Sequence, residues 1–252
     1  MRLARFRFGD RIATGVLEDD AVRILRGTFF EDPVPTGEEV PVGDVRLLAP
    51  VLPSKVVCVG RNYPDHAAEM GGEVPAEPLL FLKPSTSVTG PGDPIPLLPI
   101  SERVDHEAEL AVVLGRLTRR GAGPAEVERS ILGFTCGNDV TLRDLQGRDG
   151  QWTRAKGFDG SCPLGPWIET DLGDDAEVLC RVNGEVRQRG RTSQLTFRPV
   201  ALVAYITRFM SLLPGDVIMT GTPAGVGPLS AGDEVEVEVE GIGVLGNPVI
   251  EG

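Results

Sequence analysis

Apolar residues recur along the start of this chain in short runs broken by turn signals. Leu3–Phe8, Ile12–Leu17 and Val22–Leu25 are three such runs, separated by Gly9-Asp10 and Asp19-Asp20. They predict a small β meander over residues 1–27. Residues 31–53 then carry Pro33, Pro35, Gly37, Pro41, Gly43, Pro50 and Pro53. That density breaks regular structure and marks a connection. It places a boundary near residue 50, with a small N-terminal domain and Pro-rich linker over 1–50 and a second domain over 51–252.

The second unit opens on Lys55–Val59, a short buried strand, followed by GRNYPDHAAEMGG. Pro64 suits the first turn of a helix and Gly71 its end. His66 and Glu69, three residues apart, then share a face. Leu79–Lys83 is another strand. Pro124 to Leu132 reads as a helix closed by Gly133, although Ile131–Phe134 also reads as an apolar strand-like run. Val182-Asn183-Gly184-Glu185 predicts a hairpin, because Asn-Gly accepts the positive φ of a type I′ turn. Pro199–Leu212 is the longest predicted helix, with Val200, Val203, Ala204, Ile206 and Met210 on a broad apolar face. The mix is β-rich with a few short helices.

Two stretches place acids at alternate positions. In VDHEAELAVVL (104–114), Glu107 and Glu109 share one face of a strand, roughly 6.6 Å apart, and Ala111 and Val113 continue that face. Carboxylates at the margin of a core are costly without a cation or hydrogen bonds. A hard divalent ion such as Mg²⁺ is a direct solution, since it takes oxygen ligands and leaves positions for substrate. An ordinary ion-paired face, with Arg103 or Arg116 as partner, is the alternative. Glu234–Glu240 serves as a control: its glutamates share a face with nothing apolar and read as the wet side of a sheet.

Composition narrows the partners. The formal net charge is −12, with no basic stripe to offset it, which argues against nucleic acid. No run of 18 apolar residues occurs, so no membrane span is predicted. Cys58, Cys136, Cys162 and Cys180 form no CxxC pair, which excludes zinc-finger spacing and disfavours a disulfide framework. The first residues lack the apolar stretch of a signal peptide. A reduced, cytoplasmic setting fits these features best.

Several groups carry candidate chemistry. Glu69 can orient the imidazole of His66, the arrangement of a general base, and a surface helix pair is the bland alternative. His106 lies on the opposite face of its strand from Glu107 and is not counted as a ligand. Asp139 follows the Ile131–Phe134 run and is positioned to emerge at a strand end as a third oxygen ligand. Arg143 offers a fork that matches a carboxylate. Lys156, in a Gly- and aromatic-rich loop, can supply charge to an oxyanion. The loop 220–227, TGTPAGVG, lacks the Lys-Ser/Thr of a P-loop, yet its N–H groups and hydroxyls suit a small anion.

In series, GRNYPDHAAEMG (60–71), LFLKP (80–84), VDHEAELAVVLG (104–115), GNDVTLRDLQ (137–146), WTRAKGFDGSCPLGP (152–166), VNGEVRQ (182–188) and PGDVIMTGTPAGVG (214–227) resemble the fumarylacetoacetate hydrolase family. The resemblance implies an α+β, β-rich fold: a mixed β-sandwich roll with a small N-terminal β-rich domain, assembled as a homodimer. It implies Mg²⁺ or Mn²⁺, with Ca²⁺ admissible, held by Glu107, Glu109 and Asp139. His66 and Glu69 match the family's His-x-x-Glu dyad on a lid segment, and Lys156 its site lysine. Arg61, Tyr63, Arg143, Gln146, Gly221 and Thr222 fall at substrate-binding positions. Where the family pattern usually has Tyr this chain has His106, and where it has Ala this chain has Leu142.

The implied substrate is a small anionic 2-oxo acid, with the ion acting as a Lewis acid that stabilises an enolate. Hydrolytic C–C cleavage of an acylpyruvate is the first expectation. Decarboxylation of oxaloacetate and isomerisation of 2-hydroxyhepta-2,4-diene-1,7-dioate pass through the same kind of enolate. A non-catalytic protein that binds a metal–carboxylate ligand is the alternative of a different class.

Overall fold

The computed structural model describes residues 1–31 and 33–252, with Asp32 outside them. Its architecture is α+β and strand-dominated, a mixed β-sandwich roll with short helices at its margins. The predicted meander forms: Arg2–Phe8, Arg11–Leu17 and Ala21–Arg26 pair antiparallel in succession. The Pro-rich stretch after it is not simply an irregular connection. Val34–Pro41 is a strand paired with Ala21–Arg26, and it is the outermost strand of its sheet. Pro35 and Pro41 are tolerated there because an edge strand can lack an N–H without breaking a ladder.

Arg2–Phe8 also pairs with Cys162–Glu169, placing Arg2 opposite Glu169 and Leu3 opposite Ile168. The meander therefore continues one 12-stranded sheet. Beyond Cys162–Glu169 the order runs Ile131–Asn138, Ala108–Leu114, Val217–Met219, Val56–Gly60 and Leu79–Lys83. A five-stranded sheet forms the second layer, in the order Glu185–Arg191, Glu177–Val182, Glu234–Val239, Gly243–Glu251 and Ile95–Leu97. Its Asn183-Gly184 turn has φ of 55° and 79°, the hairpin that the sequence predicts. A small third sheet joins Thr141–Leu142, Val104–His106 and Gly227–Pro228.

Ala108–Leu114 is buried along its whole length because both of its faces are covered. Ala108 and Leu110 pack with Cys136, Val178, Cys180, Val235 and Val237 between the two layers. Ala111 and Val113, on the other face, pack with Cys58, Leu164, Val217 and Met219. Glu109 stands at the end of that second face. All four cysteines are buried and free.

Two helices are shorter than the sequence predicts. Pro124–Ser130 runs straight into the strand Ile131–Asn138, and Gly133 lies inside that strand. A Cβ at Gly133 would approach the Glu169 carbonyl oxygen to 2.4 Å, so this glycine serves close strand packing and not helix termination. The helix predicted to reach Leu212 ends at Ile206. There Thr207 Oγ1 donates back to the Val203 carbonyl at 2.9 Å, and the Thr207 carbonyl accepts from Gly121 N–H at 2.7 Å. Leu212 instead pairs with Thr118. Among the described residues no helix is long and apolar enough to cross a membrane.

Candidate metal and substrate site

Strand register brings the acids together. Ala108 pairs with Asn138 and Glu109 with Gly137, so Asp139, the next residue, arrives opposite Glu107. The Asp139 N–H donates to the Glu107 carbonyl at 2.9 Å, and Asn138 Oδ1 accepts from Glu107 N–H at 2.9 Å. These two bonds hold the chain where the strand breaks at Glu107. Glu107, Glu109 and Asp139 are 4%, 2% and 1% exposed, and each offers an oxygen within 4.8 Å of the other two.

The cations around them are unevenly distributed. Lys156 Nζ lies 2.9 Å from Glu107 Oε2 and 2.7 Å from Asp139 Oδ2. Arg143 reaches Glu107 at 2.6 Å, and also contacts Asp105 at 2.8 Å and Gln146 at 2.6 Å. Lys83, fully buried, sits 2.8 Å from Asp139 Oδ1 and donates to the Ser161 carbonyl at 2.8 Å. Glu109 differs. Among the described residues it has no ion-pair partner, and it accepts the Gly221 N–H at 2.6 Å.

Protonation follows this asymmetry. Burial pushes the Glu107 carboxyl up, but Lys156 and Arg143 outweigh burial and hold it well below the usual range. Burial also pushes Glu109 up, and there Asp139 and Glu107 add to the effect, with Gly221 and Lys156 offsetting only part. Burial pulls Lys156 down, but Asp139 and Glu107 reverse that and keep it above its ordinary value. All three acids are hard oxygen donors, and Glu109 brings a buried carboxyl with no cation of its own. Such a donor set fits Mg²⁺, Mn²⁺ or Ca²⁺ and does not suit a thiophilic ion.

A cavity of about 270 Å³ opens over the acids. Arg61, His66, Arg143, Gln146, Lys156 and Thr222 line it with all three carboxylates. Three sequence-chosen residues do not line it. Glu69 stands behind His66, with Oε2 3.1 Å from Nδ1, and its Oε1 accepts the Gly225 N–H at 2.9 Å. Gly221 acts through its N–H on Glu109, with φ of 101° and Asn62 Cβ only 2.8 Å from where a Cβ would stand. Tyr63 is buried, and its hydroxyl has no hydrogen-bond partner among the described residues.

Other contributors were not singled out from sequence. Phe81 and Trp152, edge to face at 5.3 Å, and Met70 complete the wall. Asn62 roots the His66 segment: its Nδ2 donates to the carbonyls of Thr220 at 2.7 Å and Phe197 at 3.0 Å, and its Oδ1 accepts Phe197 N–H at 2.8 Å. Lys83 closes the strand Leu79–Lys83, and nothing local distinguishes it from a surface lysine at a strand end.

Known proteins resemble this chain over most or all of its length. Residues 55–250 match the family model "Fumarylacetoacetate (FAA) hydrolase C-terminal", and residues 1–50 match "Rv2993c-like, N-terminal". The crystal structure of 5-carboxymethyl-2-hydroxymuconate delta-isomerase from Mycobacterium smegmatis is 49% identical, with a TM-score of 0.93 over all of both chains. That of 2-hydroxyhepta-2,4-diene-1,7-dioate isomerase from Mycobacterium marinum is 47% identical with a TM-score of 0.92, covering 100% of this chain and 98% of the other. Human mitochondrial oxaloacetate tautomerase FAHD2A is 44% identical over 225 residues, 84% of this chain and 71% of the relative. The register-built acid cluster, the cavity above it and these matches lead to one conclusion: the chain belongs to the fumarylacetoacetate hydrolase family.

Proposed function

We propose that this protein is a divalent-metal enzyme that interconverts enol and keto forms of a small 2-oxo dicarboxylic acid. The observation that carries the reading is Glu109, a buried carboxylate without a cation, beside two acids that do have cations. Glu107, Glu109 and Asp139 would hold the ion, which when bound supplies Lewis-acid stabilisation of charge on the 2-oxo group. Lys156 and Arg143 place positive charge beside the same oxygens, strengthened by burial. The Glu69 carboxylate accepts His66 Nδ1–H, which leaves Nε2 with a lone pair to take a proton from, or return it to, the ligand carbon. Phe81, Trp152 and Met70 exclude water from the ligand.

Hydrolysis of an acylpyruvate is the second reading, favoured by the His66–Glu69 pair, since the same Nε2 can take a proton from water. The names of the relatives support isomerisation as the first. The test is a panel of oxaloacetate and acetylpyruvate with Mg²⁺ and with EDTA, following loss of enol absorbance and release of pyruvate in parallel. Enol loss should be accelerated, be abolished by EDTA, and fall about 100-fold or more in His66→Ala. Pyruvate release from acetylpyruvate faster than enol loss from oxaloacetate would replace isomerisation with hydrolysis.

A further inference from the structure

Gln188 closes the VNGEVRQ motif, which the reaction outlined above leaves without a task. It lies on Glu185–Arg191 in the five-stranded sheet, yet its side chain is 1% exposed and reaches the acid strand. Oε1 accepts Ala108 N–H at 2.9 Å, and a backbone N–H can only donate, so this atom is the amide oxygen. Nε2 lies 2.8 Å from the Pro223 carbonyl, which can only accept, and this fixes the same orientation independently. The second lone pair of Oε1 therefore takes a proton from His106 Nδ1 at 3.0 Å. The second amide hydrogen goes to Thr222 Oγ1 at 2.7 Å. Both lone pairs and both hydrogens of Gln188 are used, so it cannot flip.

That leaves Thr222 with one arrangement. Its hydroxyl has a single hydrogen, and the Ala108 carbonyl oxygen, 2.8 Å away, accepts it. One lone pair is taken by Gln188. Thr222 lines the cavity beside Glu107, Glu109 and Asp139, and only its remaining lone pair is available there. Toward a ligand this hydroxyl accepts and does not donate.

We infer that Thr222 is held as a hydrogen-bond acceptor toward the cavity, its hydrogen on the Ala108 carbonyl and one lone pair on Gln188, so that the ligand group facing Thr222 must carry a hydrogen. On the reading of the site as one for 2-oxo acids, on which this inference rests, that group is an enol or other hydroxyl, or an amide. A carboxylate or keto oxygen at the same place meets lone pair against lone pair. The site thus selects the protonated oxygen at one end of its ligand, a discrimination that cavity shape alone does not make.

Oxamate and oxalate are suitable probes, since one end of oxamate carries N–H where oxalate has only oxygen. Calorimetric titration of both into the Mg²⁺-loaded protein reads binding independently of turnover. In Thr222→Val, oxamate should weaken about tenfold, whereas oxalate should hold or tighten. Thr222→Ser should restore the oxamate affinity. A thermal melt of each variant confirms that it is folded. Oxalate weakening as much as oxamate in Thr222→Val overturns the inference. Failure of the parent protein to bind either probe overturns the 2-oxo acid reading, and this inference falls with it.

Discussion

Two strands of this protein carry glutamates at alternate positions and use them in opposite ways. In Glu234–Val239 the valines enter the core between the layers, while Glu234 is exposed and Glu236 and Glu238 are half-buried. Arg181 pairs with Glu238 at 2.5 Å, at a site open to water. In the stretch holding Glu107 and Glu109 there is no wet face, because the strand is covered on both sides. Identical spacing gives a solvated face in one place and a concentrated buried charge in the other. Both strands are interior to their sheets, so what decides between them is whether the second face of the strand is covered, and short sequence patterns do not encode that.

Three substitutions would break or sharpen this contrast. Lys156→Met should have the largest effect on stability, because it removes the cation shared by Glu107 and Asp139. Breaking a buried pair in this way costs about 3–5 kcal/mol, read from the urea midpoint of the metal-free protein. Glu109→Gln should lower Mg²⁺ affinity about a hundredfold by calorimetry. The metal-free protein should hold or gain stability, since a buried ionisable carboxyl without a counter-ion is replaced by a neutral amide. Loss of stability in that variant would show that Glu109 has a compensating partner. Glu236→Gln should change stability by less than about 0.5 kcal/mol and leave metal binding as it was. A large effect there would erase the distinction between the strands.

Much of the fold was legible in the sequence, because alternation and turn chemistry act locally. Leu79–Lys83, the meander and the Asn183-Gly184 hairpin appear where their patterns place them. The two shortened helices were not legible in their extent. Their ends are set by Gly121 and Thr118, and by the packing of Gly133 on Glu169, contacts between distant segments. The candidate site divides in the same way. Glu107 and Glu109 reveal themselves by spacing and Asp139 by following an apolar run. Lys83 and Gln188 look unremarkable in sequence because their partners lie 34 to 82 residues away. Arg61, with φ of 56°, is likewise held in the left-handed region by its surroundings, a conformation that residue type alone does not announce.

The bonds that frame the cavity also have a temporal meaning. Gly221 reaches Glu109 across 112 positions, and Gly225 reaches Glu69 across 156. Closing loops of that length has an entropic cost that neighbouring strand pairs do not bear. A partly folded chain can hold the meander and the hairpins and still have no site. Recovery of ligand binding on refolding should therefore trail recovery of strand content, and mild denaturation should abolish binding before the sheets melt.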